Sequence, residues 1–182
     1  IRYLKQLAGY KIYNAAETQH DIDTVKLISL EDKSKPFVLM QAISQSTQEY
    51  DKINRAIDIL NRIIPSEAFR SLVLYTKFNE TNNLNNEAIL EMITNFKHEV
   101  RVQIYNGSWR ENNLWHTVGK DIGDGWVYVN RYFLSSDLAL ASLILHETCH
   151  SIGFKHDLIK AQSVPYLMNL ILETCGENIG LK

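Results

Sequence analysis

The chain has 182 residues, 45% hydrophobic and 22% charged, with a formal net charge of −2. This is ordinary globular composition with ample material for a core, and it carries no basic footprint for nucleic acid or an anionic membrane. The longest apolar run, LALASLIL at 138–145, is far too short to span a bilayer. With no internal repeat, low-complexity block or Pro/Gly-rich linker, a single domain over 1–182 is expected. The chain starts at Ile rather than Met, so a missing leader says nothing about export.

The first forty residues or so carry strand-like pieces, YKIYNA (10–15) and KPFVLMQAI (35–43), around the polar ETQHDID (17–23). Tyr50, Ile53, Ile57, Leu60 and Ile63 or Ile64 then recur at three- and four-residue spacing. That periodicity predicts an amphipathic helix over about 47–63, capped by Ser46 or Thr47 and stopped by Pro65. RSLVLYTKF (70–78) reads as a buried strand, TNNLNN (81–86) as a loop, and NNEAILEMITNF as a second, shorter helix. VRVQIYNG (100–107) alternates and ends in Asn-Gly, a strand entering a turn. The stretch 108–125 reads as loop with one short strand near LWHTV, and GWVYVNRYF (125–133) as a further strand. Ser135 or Ser136 caps a helix beginning DLALASLILHETCHSI, with Asp137 at its positive end. This order predicts an α/β or α+β domain, a mixed sheet backed by helices.

Inside that last helix begins LHETCHSIGFKHD, residues 145–157. His146 and His150 are four apart, so their imidazoles stack one turn apart on one face and can grip one zinc ion. Glu147 is turned away by about 100°, off the metal but able to reach a water held there. Gly153 stands where a helix takes a left-handed C-terminal residue, letting the chain turn and return His156 as third ligand. Three protein ligands leave a fourth position for water, as a catalytic site requires. At this chain's own residue frequencies the five positions match by chance roughly once in 10⁷ starts, which disfavours a merely histidine-rich helix.

His146, Glu147, His150, Gly153 and His156 together spell HExxHxxGxxH, and the chain here resembles the metzincin clan of zinc metallopeptidases. Asp157 resembles the ending of the adamalysin branch, with a structural role, and Met168 in SVPYLMN stands where the clan's Met-turn falls. The resemblance is sharp over 145–168 and architectural before it. It implies a mostly parallel twisted sheet with one antiparallel edge strand lining the cleft, a backing helix and an active-site helix. An upper subdomain would run to about 153, and a small lower one over about 154–182 would hold the Met-turn and a C-terminal helix. It further implies one catalytic Zn²⁺, hydrolysis of a protein or peptide by a zinc-bound water activated by Glu147, and a monomeric, secreted enzyme with an upstream pro-segment. Tyr166 is a candidate oxyanion helper or pocket wall, and the edge strand is sought at 113–118 or 125–131. Adamalysins carry more cysteines than the two here, so the family within the clan stays open.

Two rivals are defined by the same residues. In a gluzincin, Glu173 or Glu177 on a later helix would replace His156 as third ligand; in a non-catalytic zinc-binding module, Glu147 would have no task. Cys149 falls on the helix face opposite the metal-facing histidines, with Leu138, Leu145 and Ile152. Its partner is either Cys175, in a disulfide, or none, both being buried thiols. Met168 has core filling as its plain alternative. His20, His98 and His116 read as surface or loop histidines.

Overall fold

The computed structural model describes residues 35–115, 117–121, 124–155 and 160–181. Lys35–Lys182 make up one compact unit. The strand-like YKIYNA, His20 and the first part of the expected single domain lie outside the described residues, as do His116, His156 and Asp157.

Strand β1 (Phe37–Ile43) leads into helix α1 (Thr47–Ile63), followed by α2 (Glu67–Tyr75) and α3 (Asn86–Thr94). Strand β2 (His98–Tyr105), a π-helical turn at Glu111–Trp115, β3 (Gly119–Asp121) and β4 (Val127–Asn130) come next. Helices α4 (Asp137–Ser151) and α5 (Val164–Asn178) complete the described fold. It is a mixed α/β architecture with one sheet in the order β1-β2-β4-β3. β1, β2 and β4 are parallel and β3 is the antiparallel edge. Parallel neighbours need long crossovers, and α1 to α3 provide the one from β1 to β2.

Helix α1 forms as its spacing predicts: Ser46 caps it by accepting from the Glu49 amide, and Ile53, Ala56, Ile57, Leu60 and Ile63 are buried. Each such branched side chain contributes roughly 1.5–3 kcal/mol by leaving water. Tyr50, at the outer end of that stripe, stays 45% exposed. Helix α4 packs against α1 and α5 and also meets β3 and β4.

Three expectations are corrected. RSLVLYTKF is mostly helix, not strand: Ser66 caps α2 by accepting from the Phe69 amide, and Phe69 and Val73, four apart, are buried. Beyond Thr76 its run bears only one β-branched residue, so the helical start signal at Ser66-Glu67 wins. The edge strand is Gly119–Asp121 rather than 113–118 or 125–131; β4 lies inside the sheet between β2 and β3. A three-residue, lysine-bearing edge is too short to show alternation, and such edges resist unwanted pairing. His98 is not a surface histidine but only 7% exposed. It opens the buried face of β2 with Val100, Val102 and Ile104, stacks on Phe37 at 4.8 Å, and donates from Nε2 to the Ile93 carbonyl.

Candidate metal centre

Helix α4 is anchored at both ends. Ser136 accepts from the Ala139 amide at 3.1 Å, and Asp137 in the first turn pairs with Arg55 of α1 at 2.6 Å. Lys52 of α1 adds a bond to the Ser135 carbonyl. At the far end Gly153 takes φ +109°, a conformation that L side chains resist. The Gly153 amide donates to His150 and the Phe154 amide to Cys149, the paired bonds of a Schellman ending. The sharp turn expected after the second histidine is therefore present, and buried Phe154 seals it.

Around the axis α4 is buried at Leu138, Leu140, Ala141, Ile144, Leu145, Glu147, Thr148 and Cys149. The half-buried positions after its start are Ala139, Leu143, His146 and His150, one stripe at spacings of four, three and four. Both histidines lie on that stripe, with ring centres 5.0 Å apart and planes 75° apart. Two imidazoles on one tetrahedral ion at about 2.1 Å would have centres roughly 5 Å apart, and the observed separation of the pair is compatible with that. His150 Nδ1 lies 2.8 Å from the Phe154 carbonyl oxygen. A carbonyl can only accept, so Nδ1 carries the proton and Nε2 carries the lone pair a metal needs. The helix ending thus also sets the histidine tautomer.

Glu147 is 5% exposed and adjoins the first histidine. Tyr166, 39% exposed at the start of α5, sets its ring edge-on against His146, with centres 4.8 Å apart. Met168 is wholly buried, but inside α5 rather than in a turn, because Ser163 and Pro165 begin that helix before it. Its setting is that of a core methionine. Cys149 and Cys175 are free and buried, so no disulfide joins them; burial raises both thiol pKa values above the usual range. Glu173 accepts from Asn169 at 3.3 Å, and Glu177 is exposed near the end of α5. Among the described residues no three His, Cys, Asp or Glu side chains form a metal-holding group, and His156 is not among them.

The same stripe runs beneath the edge strand. A Cβ on Gly119 would lie 2.8 Å from a Leu143 methyl, so β3 rests on Leu143, one turn before His146. Val118, Phe133, Leu134, Ala139 and Leu143 help line a cavity of about 30 Å³ there. On the other side of the turn, the Asn82 side chain donates to the Gly153 carbonyl, and Asn79 bonds Gln162 through main chain and side chain. Glu80, Asn82 and Asn83 all have positive φ in this loop. Asn79 and Asn82 therefore tie this loop to Gln162 and to Gly153.

Sequence reasoning found the histidine pair, Glu147, Gly153 and Tyr166, but missed Leu143, Gly119 and the Phe154 carbonyl. An apolar residue directly after a helix-ending glycine was the available signal for Phe154, since Schellman endings favour one there. No family model, curated protein or solved structure matches this chain.

Proposed function

We propose that this chain is a secreted, zinc-dependent endopeptidase of the metzincin kind, acting as a monomer. The observation that carries the proposal is the His146–His150 pair, 5.0 Å apart, with His150 Nδ1 held by the Phe154 carbonyl. His146 and His150, completed by His156, would hold the ion. Zinc, when bound, supplies an acidified water and a polarised substrate carbonyl. The Glu147 carboxylate would serve as the general base that accepts a proton from the attacking water and returns it to the departing amine. Its near-complete burial keeps bulk water from competing for that proton. Tyr166, beside His146, either donates toward the developing oxyanion or walls the pocket. An extended peptide pairs with the edge strand β3, which rests on Leu143, one turn before His146. No helix among the described residues is long and apolar enough to cross a membrane.

Zinc content and hydrolysis of an unfolded protein test the proposal together. Glu147→Gln is expected to lower the rate by roughly 10²–10⁴-fold while zinc is retained. Full activity in that variant, or a wild-type chain that binds no zinc, overturns the reading. Undiminished zinc affinity in His156→Ala would instead favour a ligand from α5, with Glu173 the first to test.

A further inference from the structure

We infer that Asn130 is a positioning residue for peptide binding, fixing the seat of the edge strand on Leu143, one turn before His146; this rests on the endopeptidase reading above. Asn130 ends β4 and is 0% exposed. Its Oδ1 accepts from the amides of Gly107 and Tyr132, each at 3.2 Å. Its Nδ2 donates to Asn112 Oδ1 at 2.7 Å and to the Thr117 carbonyl at 2.9 Å. Its own amide donates to the Val118 carbonyl at 2.9 Å. All four hydrogen-bonding positions of one carboxamide are therefore used, and a buried polar group is fully satisfied.

These partners are not scattered. Gly107 begins the excursion between β2 and β3, Asn112 sits in its middle, and Thr117 and Val118 end it. Asn112 closes the knot by donating to the Gly107 carbonyl at 3.2 Å. One side chain thus sets both ends of the loop that delivers Gly119. β3 is only three residues long, and in the described sheet it pairs with β4 alone. So short a strand cannot fix its own place, and the loop before it must. A second tie has the same direction: Lys120 of β3 bonds Glu111 at 3.1 Å, and Glu111 also accepts from the Ser108 amide. Because Gly119 rests on Leu143, one turn from His146, slack in this loop becomes misregistry between a bound peptide and the histidines. The first consequence is weaker backbone pairing with the peptide, which is read as affinity.

Asn130→Asp keeps the shape and the two accepted bonds but sets a carboxylate oxygen against two acceptors. With a fluorescence-quenched peptide of about eight residues that the wild-type chain cleaves, the variant is expected to raise KM about tenfold. Its kcat should stay within about twofold of wild type, with zinc content unchanged. The same peptide, bound without cleavage to Glu147→Gln, should lose affinity by about the same factor when Asn130→Asp is added. Asn112→Ala removes two of the loop's bonds at a less buried site and should raise KM about threefold; it carries the test if Asn130→Asp does not fold. KM unchanged in the folded variants, or kcat and zinc content falling together, overturns the inference and leaves the peptidase reading standing. A wild-type chain that cleaves and binds no peptide overturns both.

Discussion

Helices α1 and α4 are of similar length, 17 and 15 residues, yet they distribute their surfaces in opposite ways. α1 buries one apolar face and leaves the other to polar side chains such as Asn54, Arg55 and Asp58. α4 is buried on most of its circumference and keeps one half-buried stripe, which carries both histidines. A one-faced helix is scaffold, and its residues can be exchanged among apolar types of like volume. A helix enclosed on nearly all sides leaves one stripe to present side chains, and substitutions on its other faces disturb the core.

That contrast breaks most visibly by paired substitution. Leu60→Ala in α1 should cost about 2–5 kcal/mol of stability with zinc stoichiometry unchanged. His150→Ala in α4 should abolish tight zinc binding while the apo chain keeps its melting temperature within a few degrees. Thermal melts and metal analysis of both variants give the comparison, and the reverse assignment would refute it. Next in size, Gly153→Ala forces a side chain into φ +109° and should destabilise by at least about 1 kcal/mol. Because the Phe154 carbonyl that orients His150 follows that turn, zinc affinity should fall in the same variant. Asn82→Ala, which releases the Gly153 carbonyl, should show a smaller drop in affinity, of about threefold, by chelator competition.

The smallest expected effect concerns the sheet rather than the helix. Burial lowers the pKa of His98, so the folded state keeps it neutral where the unfolded chain takes a proton. Its contribution is complete above about pH 6.5 and is lost as pH falls from there toward the folded value, at no more than ~1.4 kcal/mol per pH unit. His98→Gln, which can still donate to the Ile93 carbonyl, should flatten that part of the stability–pH curve in urea titrations.

Much of this was legible in residue order, and the failures share one cause. The helices 47–63 and 137–152 were readable because caps and periodicity are local signals, and Gly153 because a left-handed ending has a local chemistry. RSLVLYTKF misled because a short apolar run is ambiguous between strand and helix until its neighbours pack on it. His98 was read as a surface or loop histidine because the strand was begun at Val100; carrying the alternation two residues back puts it on the buried face. The edge strand was illegible because GKD has no pattern of its own, and its place comes from Asn130 at the end of β4 and from Glu111, the partner of Lys120, both on other elements.

The sequence by itself determined the spacing of His146, Glu147 and His150 and the turn at Gly153, since a helix converts separation directly into facing and glycine alone relieves that φ. Tertiary structure alone decided that His150 is oriented by the Phe154 carbonyl, that Tyr166 meets His146, and that β3 lies over Leu143. It also placed Met168 in a helix and left both cysteines free. Those outcomes depend on which surfaces are brought together when β1, β2 and β4 pair in parallel and α5 closes on α4, and long-range packing leaves no periodic trace in the chain.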